Sequence, residues 1–331
     1  MPCVDAQRAM TEIGQDILYA AELLRSGETV AIPTETVYGL AGNALDERAV
    51  TKIFSAKNRP SFDPLIVHVA KVNDIEKWVK DVPEQAKILA TAFMPGPLTL
   101  VLPKADAIPD IVTSGHSTVG IRVPAHPLSD QLLSLLDFPL AAPSANPFGY
   151  VSPTSAQHVH HQLGGKISYI LDGGPCSVGL ESTIVAFDKE TPVILRLGGL
   201  GIEIICQTLG LKEIEVRQSS SRPNAPGMLN SHYAPEKKLL LGNLNEMTTQ
   251  YSKNEAVVLC LKDQGWNKKG FTVYQLSPTG NLEEAARNLF HFLREMDQLK
   301  EPLILSERMP EHSLGRAIND RLQRASFQSG H

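Results

Sequence analysis

The chain has 331 residues, of which 42% are hydrophobic and 20% charged, and its formal net charge is −5. This is the composition of an ordinary globular protein, and the negative charge argues against a protein that coats nucleic acid through bulk electrostatics, although it is compatible with a local basic pocket. No apolar run approaches the roughly 20 residues that cross a bilayer, and residues 1–27 lack the unbroken apolar core of a signal peptide. We therefore expect a cytoplasmic protein with no membrane partner.

Helical and strand patterns alternate through the first two hundred residues, which predicts an α/β layer fold with a large twisted sheet. A helix over 8–26 precedes a strand over 29–33. Gly39 and Gly42 predict a turn, and the next helix begins near Asp46 and runs to about residue 56. Further strands are predicted at 65–69, 98–102, 119–123, 139–142, 182–187 and 193–197, and further helices at 84–93, 128–136, 156–163 and 202–209.

The composition changes near residue 212. Residues 218–227 are rich in Ser and Pro and have no apolar period, which is typical of an extended linker. A smaller α/β pattern follows, with strands predicted at 238–241, 256–261, 272–276 and 302–305, and helices at 282–299 and 314–325. We therefore divide the chain into a catalytic domain (1–212), a linker (213–237) and a small α/β domain (238–331).

Two polar clusters carry the candidate chemistry. Lys57-Asn58-Arg59 follows a predicted helix, so its cations either complement the negative end of the helix dipole or clamp a phosphate through charge-assisted hydrogen bonds. Ser144 and Asn146 follow a predicted strand, where open α/β sheets bind ligands, although a Pro-bounded turn also explains them. Arg122, just before Pro124, is either a surface-facing strand residue or the partner of a carboxylate.

Other candidates have ordinary explanations beside the functional ones. Thr34 and Thr36 fit strand propensity, and His68 fits a buried strand histidine. The histidines of the predicted helix over 156–163 lack Cys or carboxylate ligands at metal spacing, so we interpret them as a solvated helix face: His158, His160 and His161. The four cysteines are scattered and form no CxxC pair, which indicates reduced thiols without zinc or disulfides.

A series of short motifs resembles, in order, those of the threonylcarbamoyl-AMP synthase family, the YrdC-like proteins, in the longer form with a C-terminal domain. The motifs are PTETVYGL at 33–40, KNRP at 57–60, PLIVHV at 64–69, GIRVP at 120–124, PSAN at 143–146, ESTIV at 181–185, RLG at 196–198 and HYAP at 232–235. The resemblance implies a YrdC-like twisted, mixed, open sheet with flanking helices, and a small Rossmann-like α/β C-terminal domain.

The resemblance also implies an activity. That family makes L-threonylcarbamoyladenylate and pyrophosphate from L-threonine, bicarbonate and ATP, and we expect Mg²⁺ to accompany the ATP. The product feeds the t6A modification of tRNA adenosine 37 through a separate transferase, so tRNA is an indirect partner. We expect a nucleotidyltransferase in which the second domain acts as a lid over bound ATP.

Site residues follow from the resemblance position by position. The KxR…SxN signature, expected around the phosphates and the reacting carbamate, is Lys57, Arg59, Ser144 and Asn146. The positions expected to hold threonine are Thr36, His68, Arg122, Ser182 and the backbone at Ala142. Further nucleotide-binding positions are Thr118, Ser152, Arg196 and Tyr233.

One position departs from the family pattern. Asp63 stands where the family usually has an Asn that contacts the nucleotide. Its carboxylate is able to accept a hydrogen bond or reach Mg²⁺, but it would repel bare phosphate. We keep Asp63 among the expected ATP-binding residues.

Two rival functions stay open at this point. A related enzyme class adenylates carbamoyl phosphate with a YrdC-like domain, but it also carries zinc-finger and acylphosphatase segments that this sequence lacks. A structured-RNA-binding module is the non-enzymatic alternative, and the acidic charge balance disfavours it.

Overall fold

The computed structural model describes residues 10–217 and 233–327. Within that part, the first domain is built on an eleven-stranded open sheet with the order β1-β8-β2-β3-β7-β4-β6-β5-β9-β10-β11. Parallel and antiparallel pairs mix along it: β4 pairs with β6 in parallel, and β3 pairs with β7 antiparallel. The strands are β1 Glu12–Gly14, β2 Val30–Ile32, β3 Gly39–Asn43, β4 Ile66–His68, β5 Leu98–Pro103, β6 Thr118–Arg122, β7 Leu140–Ala141, β8 Tyr169–Leu171, β9 Thr183–Asp188, β10 Thr191–Arg196 and β11 Glu215–Val216.

The helices of this domain flank the sheet. They are α1 Ile17–Arg25, α2 Glu47–Lys57, α3 Glu84–Phe93, α4 Asp110–Thr113, α5 Pro127–Leu135, α6 Ala156–Leu163 and α7 Ile202–Leu209, and a 3₁₀ helix spans Val72–Lys77. The helix α2 shows how the sequence sets the bounds. Asp46 caps its first turn by accepting from the Arg48 amide, and Asn58 ends it in the left-handed conformation (φ 52°). Lys57 and Arg59 are thereby held at the end of a rigid element.

The second domain is a smaller parallel α/β unit. Its sheet has the order β12-β15-β13-β14, and every pairing in it is parallel. The elements are β12 Lys238–Leu241, α8 Leu244–Gln250, β13 Ala256–Cys260, β14 Val273–Gln275, α9 Leu282–Asp297, β15 Leu303–Ser306 and α10 Gly315–Ser326. The predicted fold class, a mixed open α/β sheet with a small Rossmann-like domain, is confirmed.

The two domains share one apolar core. Val37 and Leu180 of the first domain pack in the same cluster as Leu289 and Phe290 of α9. The first domain's sheet still includes Glu215–Val216, and the second sheet begins at Lys238. The predicted linker residues 218–227, and His232 of the HYAP motif, lie outside the described residues. The division at residues 212 and 237 therefore stays a prediction.

Two local predictions are wrong. The segment 8–26 is not one helix, because Glu12–Gly14 pairs with β8 and Asp16 caps a helix that begins only at Ile17. Gly39 and Gly42 lie inside β3 rather than in a turn. These glycines permit close packing: a Cβ on Gly39 would lie 3.3 Å from Ala142 Cβ, and one on Gly42 would lie 3.2 Å from Ile53 Cδ1.

Other predictions hold in outline. The helices over 84–93, 156–163 and 202–209 keep both predicted bounds. Cys176, Cys206 and Cys260 are free and buried, and Cys3 lies outside the described residues. No helix in residues 10–217 or 233–327 is long and apolar enough to span a membrane.

Candidate active site

Lys57 joins the two predicted polar clusters. Its side chain is 1% exposed, and its ammonium donates to the carbonyls of Ser144 and Asn146. The Lys57 carbonyl in turn accepts from the Phe148 amide at 2.8 Å. Burial, and then the neighbouring Arg59, lower the pKa of Lys57 well below its usual value. Lys57 therefore fastens the loop after α2 to the loop after β7 from behind the cavity wall.

Arg59 reaches the cavity and is held by its own loop. Its Nε donates to the Asp63 carbonyl (3.0 Å) and its Nη2 to the Pro64 carbonyl (2.8 Å). Asp63 Oδ2 lies 2.8 Å from Arg59 Nη2 as an ion pair, but neither Asp63 carboxylate oxygen has an aligned hydrogen-bond partner among the described residues. Burial raises the pKa of Asp63. The carboxylate serves as the buried counter-charge of Arg59.

Arg122 is clamped at the centre of the site. Its Nη2 donates to Glu35 Oε1 at 2.5 Å, and its Nη1 donates to Thr36 Oγ1 at 3.1 Å. Glu35 Oε2 accepts from the Ala125 amide at 3.0 Å. The Arg122 side chain is buried, so the interpretation of a surface-facing arginine is wrong. Its Nε has no hydrogen-bond partner among the described residues, which leaves one buried cationic donor unsatisfied.

His68 faces the same cavity from the end of β4. It is 3% exposed, and its Nδ1 lies 3.1 Å from the Ile66 carbonyl. Burial, reinforced by the nearby Arg122 charge, lowers its pKa to about 3. The imidazole is therefore neutral at physiological pH and is suited to hydrogen bonding rather than to supplying charge.

Ser182 and Arg196 form a further wall at the start of β9 and the end of β10. Ser182 Oγ shares a hydrogen bond with Thr99 Oγ1 at 2.7 Å. Arg196 donates from Nη2 to the Ser182 carbonyl (2.9 Å) and to Ser182 Oγ (3.1 Å). Burial lowers the pKa of this arginine. Arg196 thus fixes the rotamer of a hydroxyl that opens into the cavity.

Tyr233, from the predicted linker, contributes to the wall and packs against the second domain. Tyr233 is 1% exposed, and its ring stacks on Phe290 of α9 with a centroid distance of 5.9 Å. The Arg321 guanidinium of α10 lies over the same Tyr233 ring, 4.7 Å from its centroid. Arg321 Nε also donates to Glu181 Oε2 at 3.0 Å, and Glu181 Oε1 accepts from Ser152 Oγ. A buried ion pair therefore crosses between the domains beside the cavity.

Most of the predicted site residues come together. Those that line the central cavity are Thr36, Arg59, His68, Arg122, Ala142, Ser144, Ser182, Arg196 and Tyr233. Lys57, Asn146, Asp63 and Ser152 are buried behind that wall. Thr118 lines a smaller neighbouring cavity that shares Ile66 with the central one. Their individual roles stay predictions.

The histidines of α6 do not lie at this site. His160 and His161 are exposed, as a solvated helix face predicts. His158 is half-buried, and its ring stacks on His291 of α9 at 5.5 Å, so the prediction is wrong for this residue. The part of the chain that the structure describes contains no group of three His, Cys, Asp or Glu side chains able to hold a metal ion.

Sequence reasoning missed three residues that shape the site: Glu35, Glu181 and Arg321. The two glutamates lie within motifs already singled out, next to hydroxyl residues that were chosen as site candidates instead. The sequence could have indicated that Arg321 is buried, because it lies on the apolar stripe of α10 beside Ile318, Leu322 and Ala325. A cation at such a position requires a buried partner.

Fold and site together define a class: an α/β protein whose open sheet encloses a cavity lined by three arginines, Arg59, Arg122 and Arg196, a wall suited to anionic ligands. Comparison with known proteins narrows this class. The Sua5, YciO and YrdC family model, described as telomere recombination, matches residues 22–198. The model described as the threonylcarbamoyl-AMP synthase C-terminal domain matches residues 201–326.

Relatives match along nearly the whole chain. The threonylcarbamoyl-AMP synthase of Pyrococcus abyssi is 43% identical over 326 residues, covering 94% of both chains. That of Bacillus subtilis is 39% identical and covers 98% of this chain and 96% of its own. The crystal structure of P. abyssi Sua5 complexed with L-threonine superposes with a TM-score of 0.88 at 40% identity, covering 96% of this chain and 97% of that one. The chain belongs to the threonylcarbamoyl-AMP synthase family, in the form with a C-terminal domain.

Proposed function

We propose that this protein is an L-threonylcarbamoyladenylate synthase, a nucleotidyltransferase that joins L-threonine, bicarbonate and ATP and releases pyrophosphate. The product would supply the t6A modification of tRNA adenosine 37 through a separate transferase. The observation that carries the proposal is the Nε of the buried Arg122, which is unsatisfied within the described residues. Arg122 lines the central cavity of the first domain together with Tyr233, a residue that packs on the second domain. The family relationship covers both of those domains.

The proposed reaction has two steps. The threonine amine attacks the carbon of bicarbonate, a C–N bond forms, and water leaves to give a carbamate. A carbamate oxygen then attacks the α-phosphorus of ATP, a P–O bond forms, and the bond to the β-phosphate breaks as pyrophosphate leaves. Mg²⁺ enters as part of the MgATP substrate and neutralises the phosphate charge.

The side chains act by binding and by electrostatics. Arg122 holds the threonine carboxylate, and Thr36, His68 and Ser182 offer hydroxyl and imidazole groups to the rest of the amino acid. Arg59, with Ser144 beside it, stabilises the charge that develops on the phosphates. Lys57 acts from behind: by holding the Ser144 and Asn146 carbonyls it fixes the loop that faces the reacting carbamate. This assignment needs no covalent enzyme intermediate.

An omission assay tests the proposal. Pyrophosphate release from MgATP is measured with both L-threonine and bicarbonate, and then with each left out in turn. The proposal predicts release that requires both. Release without threonine contradicts it, as does a phospho- or acyl-enzyme trapped for mass analysis.

A further inference from the structure

One buried cation of the second domain reaches the wall of the cavity. Arg321 lies on α10, and its side chain is 0% exposed. Burial of an arginine is costly unless its donors are satisfied. Arg321 meets this need with two partners from the first domain, Glu181 Oε2 at 3.0 Å and the Leu197 carbonyl at 2.8 Å, and with Asp320 of its own helix at 2.6 Å.

Two of the groups that Arg321 touches face the cavity. Glu181 and Tyr233 both line it, whereas Arg321 does not. The guanidinium lies over the Tyr233 ring, 4.7 Å from its centroid. The second oxygen of Glu181 accepts from Ser152 Oγ. A change at Arg321 would therefore reach the cavity only through these neighbours.

Ser152 and Tyr233 are positions that we assign to the nucleotide. The groups that we assign to threonine are held elsewhere: Arg122 by Glu35 and Thr36, and His68 by the Ile66 carbonyl. None of the contacts described for Arg321 involves these threonine positions.

We propose that Arg321 is a positioning residue through which the docked second domain sets the ATP-binding wall, by orienting Glu181 and Tyr233. The proposal rests on the assigned function for the identity of the nucleotide. Loss of Arg321 should weaken ATP binding selectively. Because Glu181 would lose its buried ionic partner, we expect the affinity for ATP to fall by about 10–100-fold.

The test compares Arg321→Met with Arg316→Met. Arg316 lies on the same helix and also pairs across the domain boundary, with Glu203 at 3.0 Å, but its side chain is 37% exposed. The dissociation constant for MgATP is measured by calorimetry without threonine, and the KM values for ATP and threonine are measured in the pyrophosphate assay. We expect Arg321→Met to raise the dissociation constant and the KM for ATP and to leave the KM for threonine within about threefold of wild type. Arg316→Met should leave the ATP and threonine values near those of wild type.

A merely structural role gives a different result. Irreversible partial unfolding reduces the number of binding sites and the turnover but leaves the dissociation constants unchanged, whereas reversible unfolding raises the ATP and threonine constants by the same factor. If Arg321→Met does not fold, the same measurements are made on Arg321→Lys. A lysine keeps the charge beside Glu181 but cannot also donate to Leu197 and cover the Tyr233 ring, so a smaller rise in the ATP constants is expected.

A double-mutant cycle identifies the route. If Arg321 acts through Glu181, Glu181→Gln combined with Arg321→Met should cost less than the sum of the single changes. Full additivity, an unchanged ATP dissociation constant, or equal rises for ATP and threonine would overturn the proposal.

Wild-type protein that binds ATP but forms no adduct would refute the synthase assignment alone, since the calorimetric comparison would still test Arg321. Wild-type protein that does not bind ATP would refute both.

Discussion

The Glu35–Arg122 pair permits a prediction with a definite size. Both side chains are buried, with 6% of Glu35 and 4% of Arg122 exposed. The two Glu35 oxygens accept separately, one from Arg122 Nη2 at 2.5 Å and the other from the Ala125 amide at 3.0 Å. Glu35→Gln preserves the shape but turns one acceptor into a donor. One of the two hydrogen bonds must then be lost, together with the charge that compensates Arg122.

The expected cost follows from the loss of one charged hydrogen bond. Such a bond contributes roughly 1.5–3 kcal/mol, so we expect the free energy of unfolding to fall by about that amount. If the guanidinium is freed to rotate, the threonine carboxylate loses its aligned partner. Since about 1.4 kcal/mol corresponds to a tenfold change, the KM for threonine should rise about tenfold or more. The ATP constants should change much less, because Glu35 touches none of the positions assigned to the nucleotide.

Two measurements check this prediction: urea unfolding and the threonine dependence of pyrophosphate release. Glu28→Gln is the matched control, because Glu28 pairs with Lys52 at 2.7 Å but both side chains are over 40% exposed. A surface pair contributes about 0–1 kcal/mol, so this variant should behave as wild type. A threonine KM for Glu35→Gln within about twofold of wild type would refute the role given to the pair.

Three further predictions concern the same cavity. Lys57→Met should lower the rate measured in single-turnover assays by about tenfold or more. The reason is that two buried carbonyls lose their donor, which releases the loop over 143–147. An unchanged rate would contradict this role. His68 is neutral in the fold with a pKa of about 3 but takes up a proton when unfolded below its usual pKa of 6.5. Its contribution to stability is therefore lost as the pH falls from 6.5 towards 3, by about 2 kcal/mol at pH 5. Urea unfolding of His68→Asn should show a shallower pH dependence, and equal slopes would contradict the assignment. Serine should be used roughly 10–200-fold less well than threonine, and valine worse still; equal turnover of valine and threonine in the pyrophosphate assay would exclude a pocket that reads the hydroxyl.

The sequence was sufficient for elements whose determinants are local. The helix over 84–93 has a clear apolar period and kept both bounds, and Asp46 marked the start of α2 as a capping residue should. The pattern failed where a long-range pairing decides the structure. Glu12–Gly14 becomes a strand because it pairs with Tyr169–Leu171, more than 150 residues away.

The same limit applies to the site. The clusters around Arg59, Arg122 and Ser144 were recognisable because polar residues follow apolar strands. The partners that orient these residues were not recognisable. Glu35 is separated from Arg122 by 87 residues along the chain, and Glu181 is separated from Arg321 by 140 residues. Such ion pairs depend on how the sheet and the two domains come together. Local patterns indicate that a buried arginine needs a partner, but they do not name it.

The lid expected of the second domain stays a prediction, and Tyr233 is the residue that connects that domain to the cavity. Its ring contacts both Phe290 and Arg321 of the second domain while it lines the cavity of the first. A chain truncated after Lys212 would lose this wall and expose Val37 and Leu180 of the shared core.

An isotope experiment shows whether the protein joins threonine, bicarbonate and ATP into one molecule. The protein is incubated with MgATP, L-threonine and ¹³C-labelled bicarbonate, and the products are analysed by mass spectrometry. We expect an adduct of AMP with N-carboxylated threonine, heavier by the mass of the label than the adduct made with ordinary bicarbonate. An adenylate without the labelled carbon, or no adduct while ATP is consumed, would contradict this expectation.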